Sequence, residues 1–227
     1  MQKTFLISRT DGPLAAHYET EDPAETVANA LTRINEELEK TEESPIRWEC
    51  SCLQKKCGAC AMVINGRPGL ACDARLNEYG ETIRLEPLKK FPLVADLTVD
   101  RSVLHENLKA LGAWLSDPAA VRGETWELSY ESSRCLQCGC CLEVCPNFAP
   151  GGAFAGTAAA VPLARLLSEL PAERLAELSK TYRTHFYNGC GKSLACRRIC
   201  PAGIDVDRVL AASNAVAVWK RLGWKNR

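Results

Sequence analysis

Residues 1–86 carry short apolar runs of two kinds. Lys3–Ser8 and Ala16–Thr20, with their Phe, Ile and Tyr, predict strands. Val27, Leu31, Ile34 and Leu38 recur at helical spacing, so a helix opening at Pro23 would lay them on one face. Ala61–Ile64 followed by Asn65-Gly66 predicts a hairpin, because that dipeptide accepts the positive φ angles of a tight turn. Thr82–Leu85 reads as a last strand, and the Pro-punctuated Glu86-Pro87-Leu88-Lys89-Lys90-Phe91-Pro92 as an interdomain linker. Beyond it the apolar positions are helical. One helix carries Val99, Val103, Leu104, Leu108 and Leu111, and others cover Val161–Leu170, Ala172–Thr181 and Arg208–Leu222. The expected class is α+β, with a mixed domain over residues 1–97 and an all-α domain over 98–227.

Composition changes this picture at one point. Of 227 residues, 46% are hydrophobic and 25% charged, ordinary for a globular chain, and 28 basic residues balance 28 acidic ones. Nothing in that balance argues for nucleic acid or an anionic membrane as partner. No apolar run reaches the length of a membrane span, so membrane contact is expected only through a partner. The exception is cysteine, 13 in all. An odd count and no apolar leader at the start argue against a disulfide-stapled secreted domain.

The cysteines fall in three groups. The first contains Cys52-x4-Cys57-x2-Cys60 with Cys72 further on, the spacing of a plant-type 2Fe–2S site. Gly58 and Ala59 leave room for backbone N–H groups to approach sulfur. The second, Cys135-x2-Cys138-x2-Cys141-x3-Cys145-Pro146, is the bacterial ferredoxin run, whose fourth cysteine ligates the other cluster in two-cluster proteins. The third, Cys190-x5-Cys196-x3-Cys200-Pro201, is a second such run with Ser193 where a cysteine would stand. Crossing the fourth cysteines assigns Cys135, Cys138, Cys141 and Cys200 to a 4Fe–4S cluster. Cys145, Cys190 and Cys196 remain for a cluster short of one thiolate, expected as 3Fe–4S unless Ser193 holds a fourth iron. Cys50 and Cys140 are left over and read as small buried residues beside clusters. Zinc, which favours paired Cys-x2-Cys knuckles, is the competing metal. His17, His105 and His185 are isolated and read as structural or exposed.

With three clusters in this order the chain resembles the iron–sulfur subunit of the succinate dehydrogenase/fumarate reductase (complex II) family. The resemblance rests on Cys52–Met62, Asn65-Gly66, Leu70-Ala71-Cys72, Phe91–Asp100 and both ferredoxin-like runs. It implies an N-terminal β-grasp domain, a C-terminal α-helical ferredoxin domain, and an electron relay with no catalytic acid or base of its own. It implies an FAD-containing flavoprotein partner acting on succinate and fumarate, a membrane-anchor subunit, a quinone, and a peripheral place on the cytoplasmic side of the cell membrane.

The chain departs from the family's ubiquinone-reducing pattern at three places. Phe148-Ala149-Pro150-Gly151 stand where a tryptophan is usual, Gly191 where a histidine is, and Asn214 where a lysine is. These turn the expectation toward menaquinone and fumarate reduction. A soluble reductase without a quinone and a free multicluster carrier are the alternative readings. Leu53 and Lys56 also depart from the family's usual residues; Lys55 and Lys56 are expected to raise the 2Fe–2S potential unless solvent screens them. The tail, Trp219–Arg227, mixes aromatic and basic residues as a resting surface near lipid headgroups would.

Overall fold

The computed structural model describes residues 1–115 and 123–219. It divides into two compact units, Met1–Asp100 and Arg101–Arg227.

The first unit is a five-stranded mixed sheet with a helix. Strands β1 (Gln2–Ile7), β2 (Leu14–Glu19), β3 (Ala61–Ile64), β4 (Arg67–Leu70) and β5 (Thr82–Glu86) lie in the order β2-β1-β5-β3-β4. The central β1–β5 pair is parallel and the other pairs are antiparallel. Phe5, Ile7, Val63, Ile83 and Leu85 are buried, together with Val27, Leu31 and Ile34 of helix α1 (Val27–Lys40). That helix begins at Val27 and not at Pro23, because Thr26 is the cap: its hydroxyl accepts from the Asn29 N–H at 3.3 Å. The next free N–H groups of its first turn find partners outside the helix, at the carbonyls of Ala74 (2.9 Å) and Ala71 (3.0 Å).

The β3–β4 hairpin turns through Asn65 and Gly66, both at positive φ (48° and 78°). Pro68 is tolerated in β4 because that strand is the sheet edge. Segment 86–92 is not a free linker. Leu88 and Phe91 are 1% and 4% exposed, and the chain runs on into the short pair β6 (Leu93–Ala95) and β7 (Thr98–Val99) within the first unit. Asp96, buried between them, accepts the backbone N–H groups of Thr10 and Arg47 at 2.8 Å each.

The second unit is helical: α2 (Ser102–Leu111), α3 (Trp126–Ser133), α4 (Cys140–Glu143), α5 (Thr157–Glu169), α6 (Ala172–His185), α7 (Ala195–Ile199) and α8 (Val206–Asn214). Val99 belongs to β7 and not to α2. The helix expected over Arg208–Leu222 starts at Val206, and from Ala215 to Trp219 it widens to π geometry; 220–227, most of the basic tail, lies outside the described residues. Helix α5 is the axis of the core, where Ala159, Ala160, Leu163 and Ala164 pack with Leu111, Tyr182, Phe186 and Val209. It carries Pro162 in its interior.

Candidate metal centres

Each cysteine group includes a loop whose backbone passes through residues in the left-handed region, and in the second and third groups the loop leads into the short helices α4 and α7, which carry Cys141 and Cys196. In the first loop the left-handed residues are Leu53 (φ 51°), Lys55 (φ 57°) and Gly58 (φ 75°); in the second Gln137 (51°) and Gly139 (86°); in the third Lys192 (56°) and Leu194 (55°). For non-glycine residues this backbone is strained, and such strain persists where surrounding contacts require it. Successive N–H groups in this conformation converge on a concave, anion-binding face.

In the first loop that convergence is explicit. The N–H groups of Gln54 and Lys56 donate to Cys52 Sγ at 3.3 and 3.4 Å, and Lys55 N–H donates to Cys72 Sγ at 3.3 Å. Cys72 is brought there by the β3–β4 hairpin, whose ends are closed by the Ala71 N–H to Cys60 carbonyl bond. The bond from Gln54, with those from Lys56 and Cys57, holds the Cys52 thiol down at about 7, while burial pushes Cys60 up to about 12. Lys55 Nζ pairs with Asp73 at 2.7 Å, so its charge beside this loop is offset locally.

The second and third groups are stitched together by hydrogen bonds that run between them. Arg134, next to Cys135, donates to the Ala202 carbonyl, and Glu131 accepts the Asp205 N–H at 2.8 Å. These bonds set Cys200 beside Cys135. At the other end Asn147 Nδ2 donates to the Gly189 carbonyl at 2.8 Å, which sets Cys145 beside Cys190.

The thiols sense each other accordingly. Burial, reinforced by the charges of Cys138 and Cys200, pushes Cys135 up to about 11. Cys141 is driven well above its ordinary value by burial, with Cys138, Cys135, Cys196 and Cys200 as charged neighbours. Cys196 is raised by burial and by Cys190 and Cys145, against a hydrogen bond from the Thr157 hydroxyl. Cys138 is held at about 7, chiefly by a hydrogen bond from Cys140, and Cys140 is raised as its partner.

A cavity of about 350 Å³ opens among Cys145, Cys190 and Cys196, walled by Phe154, Tyr187, Leu210, Asn214 and Trp219. Ser193 also lines it, with its hydroxyl accepting the Ala195 N–H at 3.5 Å. Among the described residues no three His, Cys, Asp or Glu side chains close to the spacing of a single metal ion. Inward N–H groups, grouped thiols and this opening are the features that a multi-iron cluster uses. The burial that raises Cys60, Cys135, Cys141 and Cys196 is overcome when a cation lies against them, since a coordinating thiol is deprotonated outright.

Two leftovers separate. Cys140 is fully buried, as expected, but Cys50, just ahead of the first loop, is exposed. His17 and His105 are exposed, and His185 approaches the Ala153 carbonyl at 3.3 Å. None of the three stands in the thiol groups.

Two family models match. Residues 7–106 match a 2Fe-2S iron-sulfur cluster binding domain and residues 131–204 a 4Fe-4S dicluster domain. The succinate dehydrogenase iron-sulfur subunit of Bacillus subtilis is 35% identical over 94% of this chain and 92% of its own length. The fumarate reductase iron-sulfur subunit of Escherichia coli O6:H1 is 29% identical over 85% and 82%. A chain of the Mycobacterium smegmatis Sdh1 complex in its apo form shares the fold, with a TM-score of 0.72 at 23% identity over 97% of both chains. Among the described residues no helix is long and apolar enough to cross a membrane. The chain therefore belongs to the family of succinate dehydrogenase and fumarate reductase iron–sulfur subunits, the electron-transfer subunits of complex II.

Proposed function

We propose that the chain holds three clusters in series. Cys52, Cys57, Cys60 and Cys72 carry 2Fe–2S; Cys135, Cys138, Cys141 and Cys200 carry 4Fe–4S; and Cys145, Cys190 and Cys196 carry 3Fe–4S. The observation that supports this ligand set best is the proximity of thiols that an exchange of fourth cysteines requires. Cys200 is an electrostatic neighbour of Cys135 and Cys141, and Cys145 of Cys196. Ser193 stands where the run would have a cysteine, and the thiolate missing there favours three irons at the third site over four.

When bound, such clusters pass one electron at a time. The chain's own residues do the rest. Thiolates would hold the iron and loop N–H groups offset the sulfur charge, and water is kept from thiols such as Cys60 and Cys138 while the exposed first loop around Cys57 admits it, so potential is set by hydrogen bonding and solvent access. Electrons would run between an FAD-containing flavoprotein acting on succinate and fumarate and a quinone at a membrane-anchor subunit, on the cytoplasmic side of the cell membrane. The apolar wall of the third cavity suits a quinone approach. Asn214, whose Oδ1 accepts the Tyr182 hydroxyl at 2.9 Å, replaces the family's usual cation there. With Gly191 and Phe148 this supports menaquinone as the mediator and fumarate reduction as the working direction.

Iron analysis with EPR of two variants tests the ligand set. Cys145→Ser should alter the signal of the oxidised three-iron cluster, and Cys200→Ser that of the reduced four-iron cluster. The opposite pattern overturns the exchange, and an EPR-silent oxidised protein with about ten irons overturns the three-iron site.

A further inference from the structure

Gln137 stands between two cysteines of the second loop and was not singled out by spacing. Its backbone is left-handed (φ 51°), which turns the side chain back toward the preceding thiol. Nε2 donates to Cys135 Sγ at 3.2 Å and to the Ala158 carbonyl at 2.7 Å. That carbonyl is available for a covalent reason. In helix α5 it would accept the N–H of residue 162, but residue 162 is proline and has none. Pro162 thus leaves an acceptor in the first turns of α5, and the Gln137 amide fills it.

This acceptor also fixes which way the amide faces. Only NH2 can meet a carbonyl; the flipped amide would set Oε1 against both the Ala158 oxygen and the Cys135 sulfur. In the orientation adopted both Nε2 hydrogens are used, while Oε1 is buried with no hydrogen-bond partner. An orphaned buried acceptor is a cost that structures rarely keep without a reason. The reason offered by the geometry is the N–H held on sulfur.

We propose that Gln137 is a positioning residue that raises the reduction potential of the cluster on Cys135, acting through its side-chain hydrogen bond to Sγ. This rests on the ligand set proposed above. A donor at sulfur stabilises the more electron-rich, reduced cluster over the oxidised one, so it favours uptake of the electron. Pro162 takes part indirectly, by leaving the Ala158 carbonyl to aim the donor.

The test is a low-temperature EPR redox titration of the whole complex carrying Gln137→Met, which keeps length and shape without a donor. Gln137→Glu is the second variant; it keeps the shape and puts negative charge beside the thiolate. The expected result is a fall in the four-iron midpoint of about 59 mV for Met, a tenfold change in the one-electron equilibrium. Glu should lower it further, with the other two midpoints unmoved. An unchanged four-iron midpoint with the cluster fully present overturns the proposal. So does loss of that cluster in both variants with the other two intact, which would make Gln137 a structural clamp only. A fall in the three-iron midpoint instead keeps the hydrogen bond but overturns the ligand set.

Discussion

Gly156 caps the start of α5 at φ 75°, ψ 176°, a conformation open essentially to glycine alone. A Cβ added there would lie 2.3 Å from Leu142 Cδ2 and 3.4 Å from Phe148 Cδ2. Leu142 is fully buried between Cys141 and Cys145, and Phe148 is 4% exposed, so neither can swing into solvent. Gly156→Ala therefore combines backbone strain of about 1–3 kcal/mol with overpacking of about 1–3 kcal/mol. A combined 2–6 kcal/mol, roughly, is a large share of the 5–15 kcal/mol that stabilises a typical domain.

Gly203→Ala is the control. It has the same sign of φ (66°) but no atom within 4 Å of the added Cβ, so only the strain remains. The assay is the lifetime of each cluster's EPR signal during anaerobic heating, a rate that suits irreversible loss. In Gly156→Ala the three- and four-iron signals should decay about tenfold faster or more, since each 1.4 kcal/mol lost from the native state is worth a factor of ten. The 2Fe–2S signal, housed in the other unit, should keep its wild-type lifetime. Equal lifetimes for Gly156→Ala and Gly203→Ala would refute the packing argument, and equal loss of all three signals would refute its confinement to the second unit.

Other outcomes follow from the same geometry. Asp96→Ala removes the buried carboxylate that accepts the backbone N–H groups of Thr10 and Arg47 and should destabilise the first unit by about 1.5–3 kcal/mol in urea unfolding, leaving the second unit unaffected. Burial alone would raise the Asp96 carboxyl, but hydrogen bonds from Thr10 and Arg47 hold it below its ordinary 3.8. Its contribution is therefore present above that value and fades as pH falls through the lower folded one, which a pH series of the Asp96→Ala difference would detect. Because Asp73 and Lys55 form a near-neutral pair, the double change Lys55→Gln with Asp73→Asn should move the 2Fe–2S midpoint less than Lys56→Gln alone; the reverse order in a redox titration would contradict local charge offset. Tyr182→Phe leaves the Asn214 carbonyl without its 2.9 Å donor and should destabilise the second unit by about 1 kcal/mol in thermal unfolding.

The cysteine ladders, the Asn65-Gly66 turn and the Val27-Leu31-Ile34 face were legible in the sequence because each expresses a local rule: ligand spacing, positive φ, or helical period. The left-handed turns were not. Leu53, Lys55, Gln137, Lys192 and Leu194 have no intrinsic preference for left-handed backbone; the loops impose it. Helices α4 and α7, of four and five residues, are too short to display a period. Segment 86–92 reads as a linker through Pro87, Pro92 and its lysines, although its two apolar residues, Leu88 and Phe91, are buried in the first unit. Cys50 misleads the other way, since cysteine is commonly buried and here is exposed. Pro162 looks like a helix breaker, yet α5 continues past it and its freed carbonyl is taken by Gln137.

The most direct test of the proposed relay is to purify the tagged chain anaerobically from the membrane fraction and follow the oxidised three-iron EPR signal on adding succinate. If the chain links a flavoprotein to a quinone, a flavin-containing partner co-purifies and succinate bleaches the signal. A preparation without that partner, or one whose signal succinate leaves untouched, would contradict the relay.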